Sequence, residues 1–226
     1  MFVRIMIGTL ASAVFAQADH ELERVREADK VLQEILAVPD KGIPEHLLER
    51  AHCMVIVPGM KKAGFIVGGR YGVGVATCRK PGNKLGWTSP STVRIEGGSF
   101  GLQIGGGEVD VVLMVMNARG ADMLMKSEFT LGGEASAMAG PVGRSAKAET
   151  DAYMQAEIIS YSRSRGLFAG AELTGATLRS DDDANKVLYG QTISHQDILK
   201  GIAGKTPAVA QPLLARLSRF SPKEVR

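Results

Sequence analysis

The chain has 226 residues, 45% of them hydrophobic, with 27 basic against 24 acidic side chains and a formal net charge of +3. That length and hydrophobic share suit one large domain with a real core, and a charge so nearly balanced gives no reason to invoke nucleic acid. Aromatics make up only 5% and glycines number 27 without any low-complexity tract, so the expected core is aliphatic and the glycines belong to turns and bulges.

Residues 1–18 read as an export signal: Arg4 supplies the positive start, residues 5–16 (IMIGTLASAVFA) are apolar, and small residues offer cleavage after Ala16 or after Ala18. The apolar run is shorter than the roughly 20 residues that span a bilayer. The expected mature protein, residues 19–226, is therefore a single soluble domain, periplasmic or extracellular. In an oxidising compartment Cys53 and Cys78 are either one disulfide or two buried thiols. A simple hairpin about Gly59–Gly64 would set position 53 opposite 69, so local pairing does not decide between them.

Leu22, Val25, Ala28, Leu32, Ile35 and Leu36 recur at helical spacing and predict a helix over 19–38. Its polar face carries six acids (Asp19, Glu21, Glu23, Glu27, Asp29, Glu34) against three bases (Arg24, Arg26, Lys30). A short helix is expected from Pro44 to about Ala51. Strands follow: 54–57, ended by a turn at Pro58-Gly59; a bulged strand over 65–78; then 92–96, 99–105 and 108–116. Gly106-Gly107 reads as a two-residue hairpin loop that places Phe100, Leu102 and Ile104 opposite Leu113, Val111 and Val109, and Gln103 opposite Asp110. A helix over 118–126, a turn at Gly140-Pro141, and a hairpin of 153–164 with 167–178 across Arg165-Gly166 come next. Asp181–Asp183 mark a helix N-terminus, and two more helices are expected near 194–201 and 207–219. Helices flanking antiparallel strands predict an α+β fold, its glycine-rich sheet able to curl toward a barrel.

Short catalytic motifs fail on context. Gly97-Gly98-Ser99-Phe100-Gly101 has the spacing of an esterase nucleophile elbow, with Asp110 and His195 in the right chain order, but Ser99 lies between strands and not on a strand-to-helix turn. Gly204-Lys205-Thr206 lacks the earlier glycine of a phosphate loop, since that position is Leu199. Glycine-dense 69–74 is out of order for a dinucleotide fingerprint. The four histidines share no ligand spacing, so no metal or cofactor is expected, and an enzyme is not the leading reading.

The remaining signal is charge. From Cys53 to Ile95 there is no acidic residue, while Lys61, Lys62, Arg70, Arg79, Lys80 and Lys84 fall in that stretch. A one-signed field on a glycine-punctuated sheet reads as a surface for anions, and lipid head groups fit it better than nucleic acid, because Phe65, Tyr71 and Trp87 are not arranged as a stacking platform.

Residues 55–75, 92–117, 129–152 and 157–190, in order, resemble successive blocks of the SYLF lipid-binding domain family. The most specific are AGPVGR (139–144), YSRSRGLFAG (161–170) and the ending formed by Asp181, Asn185, Tyr189 and Gly190. The resemblance covers about residues 20–220. It implies a binding module, because eukaryotic members bind phosphoinositides and yeast members bind actin, and it looks like a stand-alone, exported bacterial version. Lipid binding in eukaryotic members leans on a basic N-terminal segment, whereas the helix at 19–38 is acidic here. The expected ligand is an anionic phospholipid of the phosphatidylglycerol or cardiolipin kind, held by Lys61, Lys62, Arg70, Arg79, Lys80 and Lys84. The competing expectations are an envelope protein-interaction module resembling the actin-binding members and, less favoured, a serine esterase using Ser99.

Overall fold

A computed structural model describes residues 3–37, 43–64, 67–82, 85–100, 105–141, 153, 155–164, 167–170 and 173–221. The N-terminal helix α1 (Val3–Leu36) includes the expected amphipathic segment and continues back through the apolar run. Its stripe of Val25, Ala28, Val31, Leu32 and Ile35 is buried, and each Val, Leu or Ile among them stabilises the packing by roughly 2 kcal/mol over exposure. Helix α2 (Glu45–Arg50) begins directly after Pro44, as expected. Among the described residues no helix is long and apolar enough to cross a membrane.

The strands are β1 (Cys53–Gly64), β2 (Val67–Cys78), β3 (Ser91–Phe100), β4 (Gly105–Val115), β5 (Glu128–Thr130), β6 (Ala137–Ala139), β7 (Ile158–Ser164), β8 (Leu167–Gly170) and β9 (Thr177–Ser180). They form one nine-stranded sheet in the order β5-β9-β3-β2-β1-β4-β7-β6, with β8 also on β7. Every pairing is antiparallel except β6 with β7. The sheet curls into a half-barrel, and its two end strands are not paired with each other. Helix α3 (Ala118–Leu124) is capped by Asn117, whose side chain accepts from the Gly120 amide. Helices α4 (Asp182–Tyr189), α5 (His195–Leu199) and α6 (Gln211–Phe220) complete the α+β fold.

Period-2 alternation sends the sheet's side chains to two cores. Met54, Ile56, Val75, Val112, Met114, Ile159 and Tyr161 pack with α1, α2 and α6. Val55, Val57, Val93, Ile95, Val111 and Leu113 pack with Leu124, Phe129, Leu173 and Leu199 on the other face.

Two sequence expectations give way. Pro58-Gly59 is not a terminal turn; β1 runs on to Gly64, with register shifts against both neighbours around this point. Gly64 pairs with Gly68 at the far end of β1, position 53 pairs with 78 and not 69, and Cys53 and Cys78 are joined in a disulfide. The hairpin across Gly106-Gly107 does not form either. β3 pairs with β2 and β9, whereas β4 pairs with β1 and β7, so Leu113 faces Val55 and Ser160, and Asp110 faces Arg163. The expected partners Leu102, Gln103 and Ile104 lie outside the described residues. Apolar alternation says which residues share a face, but not which strand lies beside them. The second hairpin's strands do pair, over the shorter span of β7 with β8, while 177–180 joins β3 and β5 instead; Arg165-Gly166 lie outside the described residues.

Candidate functional site

Five of the six basic residues separate into two groups. Lys61, Lys62 and Arg70 lie at the glycine-rich end of β1 and β2, and Arg79 and Lys80 follow the other end of β2. Over that length a strand rises roughly 30 Å, at about 3.3 Å per residue. Lys84 lies outside the described residues.

Neighbours in sequence, Lys61 and Lys62 point to opposite faces. Lys61 stands in a row with Glu108, Tyr71 and Glu96, and its Nζ is 3.9 Å from Glu108 Oε1, both side chains largely exposed. Lys62 stands in the row Gly107, Lys62, Arg70, Gly97. Two cations are thus opposite each other with only glycines flanking them in register. Burial, then the nearby Arg70 charge, holds the Lys62 ammonium below its ordinary pKa.

Arg79 is committed elsewhere. Its guanidinium donates to the carbonyls of Ala51 (2.8 Å), Glu49 (2.7 Å) and Ser221 (2.9 Å), and lies 4.9 Å from the Trp87 ring centroid. Burial pulls its pKa down, against the pull of Glu49 in the other direction. It ties α2 and the C-terminus to the end of β2, so it is not available to a head group. Lys80, next to it, is exposed.

The trio Ser99, Asp110 and His195 is not assembled. Ser99 pairs with Gly68 inside β3. Asp110 accepts from Arg163 at 2.6 Å and from the Gly59 amide at 3.0 Å. His195 is buried between Ser91 Oγ and the Leu124 carbonyl, both at 2.7 Å.

The specific motifs turn out to be architectural. Asp181 pairs with Arg24 of α1 at 3.0 Å. Asn185, fully buried, accepts from the Thr92 amide and donates to Ser91 Oγ. Tyr189 donates to the Pro90 carbonyl at 2.7 Å, and burial raises its phenol pKa. Gly190 closes α4 in the left-handed region at φ 67°. Gly140 must be glycine, since a Cβ there would meet the Tyr161 ring at 2.1 Å.

One feature had no sequence signal. A groove of about 450 Å³ opens between α1 and the sheet, lined in part by Glu27, Glu34, Glu108, Asp110, Lys30 and Arg163. Its residues come from well-separated segments, so only the fold brings them together. Among the described residues no group of histidines, cysteines and acids could hold a metal ion.

The family described as "Ysc84: Las17-binding protein actin regulator" matches residues 96–220. SH3 domain-containing YSC84-like protein 1 of Homo sapiens is 34% identical over 204 residues, covering 88% of this chain and 58% of the relative. Protein YSC84 of Saccharomyces cerevisiae is 38% identical over 181 residues, covering 77% of this chain and 37% of that protein. The chain thus spans less than two thirds of the length of these relatives. With the match extending over more than half of the chain, and its signature residues holding the helices to the sheet, the chain belongs to the Ysc84, or SYLF, family.

Proposed function

We propose that the chain is an exported lipid-binding protein that docks on anionic phospholipid head groups through Lys62 and Arg70, with Lys61 at the same end of the sheet. The observation that carries this is the cationic row flanked by glycines: two opposed positive side chains, one already depressed in pKa, beside Gly107, where a Cβ would meet nothing within 4 Å. The role is binding, not catalysis, and an exported protein would meet phosphatidylglycerol- or cardiolipin-type lipids.

Flotation of the full chain with phosphatidylcholine vesicles and with equimolar phosphatidylcholine–phosphatidylglycerol vesicles tests it. Binding is expected on the anionic vesicles only, and it should weaken in high salt. Replacing both cations (K62Q/R70Q) should weaken it roughly thirtyfold, at about 1 kcal/mol per cation near an anionic bilayer. Equal recovery on both vesicles at low salt sinks the reading.

A second reading is a protein-interaction module of the envelope. The family description names a protein partner, and the groove between α1 and the sheet, lined by carboxylates and cations paired with one another, offers a surface for a protein segment. A co-purifying protein whose retention is lost on substituting Glu34 and Glu108, with lipid flotation unchanged, would favour it.

A further inference from the structure

The disulfide end of the sheet carries a second surface of a different kind. Three segments meet there: residues 79–82 with 85–89, the loop after α5, and the last turn of α6. A Cβ on Gly201 would lie 3.5 Å from Thr88 and 3.9 Å from Pro81, and one on Gly86 would lie 3.7 Å from Ser218 and 3.9 Å from Lys80 Nζ. Ser89 and Thr206 hydroxyls are 2.6 Å apart. From this surface Leu85 and Ile202 stand out at 66% and 65% exposure. Lys80, Lys200, Lys205 and Arg219 on the same segments are exposed, and no ion pair to any of them occurs among the described residues. The chain from Ile198 to Lys223 has no acid, a second stretch of one sign.

The chain beside Leu85 is held firmly. Trp87, 2% exposed, bridges to Arg79 in backbone pairing and lies beside its guanidinium, and the Cys53–Cys78 disulfide is next to Arg79 in the chain. Lone exposed aliphatic residues are ordinary. Two of them on adjoining loops, one beside a firmly held segment and both set among cations, have the composition of a bilayer interface, where apolar side chains enter and lysines meet phosphates. An acidic protein partner would be served by the charge alone.

We propose that this end is a second docking face, for an anionic bilayer, with Leu85 and Ile202 as the inserted side chains and Lys80, Lys200, Lys205 and Arg219 as the phosphate contacts. It stands at the far end of β2 from Lys62 and Arg70, so one molecule can hold two anionic surfaces together. That bridging rests on the docking function proposed above; the disulfide-end face does not.

Trp87 is the chain's only tryptophan, which makes it a native probe of this end. With equimolar phosphatidylcholine–phosphatidylglycerol vesicles whose acyl chains are brominated, Trp87 emission should be quenched relative to unbrominated vesicles. L85S/I202S should lose the quenching, and K200Q/K205Q should weaken flotation roughly thirtyfold. K62Q/R70Q should keep the quenching but no longer cluster vesicles in a turbidity assay. All four loop residues are exposed, so unchanged thermal midpoints should show that the variants fold. A protein that floats with vesicles but shows no quenching overturns the proposal while leaving the Lys62–Arg70 site standing. Quenching that persists while K62Q/R70Q leaves flotation and clustering unchanged does the reverse. L85S/I202S binding as tightly as the wild type overturns it in favour of a purely charged surface suited to an acidic protein, and absence of flotation overturns both sites.

Discussion

Arg79 and Lys80 are adjacent and look alike in a charge run, yet they have different work. Arg79 satisfies backbone carbonyls at Ala51, Glu49 and Ser221, groups that would otherwise be left without a donor. Arg79→Ala is expected to lower unfolding free energy by about 3 kcal/mol, through buried acceptors left unpaired, and to leave vesicle flotation unchanged in protein that remains folded. Arg79→Lys should not restore stability, because a single ammonium cannot present the planar fork that reaches three carbonyls. Denaturant titration and flotation on the same samples check both. A lipid role for Arg79 would show as weakened flotation. The sequence could not separate this residue from its neighbour because charge is a property of the side chain, while availability is a property of what surrounds it.

At the scale of elements, the glycines of β2 divide by what stands opposite them. A Cβ on Gly74 would fall 2.1 Å from the Ile56 carbonyl oxygen and 2.8 Å from Val57 Cα, where the irregular part of β1 leans on its neighbour. At Gly69 nothing lies within 4 Å. Gly74→Ala should therefore cost at least about 3 kcal/mol, since the obstacle is backbone and cannot rotate away, while Gly69→Ala should change the denaturation midpoint little. Equal effects would refute the close approach. Pro58 explains why the irregularity sits where it does: it has no N–H for a regular ladder, and strands accommodate proline at bulges. Read locally, Pro58-Gly59 signals a turn; paired on both sides by β2 and β4, the strand passes through it. The Cys53–Cys78 bridge follows from that longer strand, not from cysteine spacing.

Across the whole molecule, His195 joins parts that are distant in sequence: Ser91 of β3, the Leu124 carbonyl at the end of α3 and, through Ser91, Asn185 of α4. Burial holds its imidazole below the ordinary pKa, against the weaker upward pull of the Leu124 carbonyl and Asp182. His52 is lowered as well, by burial first and then by Arg79. The unfolded chain therefore takes up protons below about pH 6.5 while the folded chain resists them. More protons on the unfolded state means that stability rises with pH in this window. The contribution is complete above about pH 6.5 and is lost as pH falls toward the depressed folded values. Urea midpoints should fall on acidification through this window, and His195→Asn should flatten the slope while lowering stability throughout. A wild-type midpoint independent of pH there would contradict the buried neutral ring.

By itself the sequence determined the α+β class, the stripe of α1, the positions of α2 to α6, the β7–β8 hairpin and the family, because these follow from short-range periodicity, caps, turns and the order of motif blocks. The order of strands, the disulfide, the division of the basic residues into two ends and two faces, and the groove beside α1 were decided only by tertiary structure. Alternation along a strand names its faces but not its neighbours. A run of like charge names its sign but not which side chains the fold consumes. The acid-free stretch from Cys53 to Ile95 thus resolves into a glycine-flanked pair at one end of the sheet, Lys62 and Arg70, and a clamp with an exposed loop at the other.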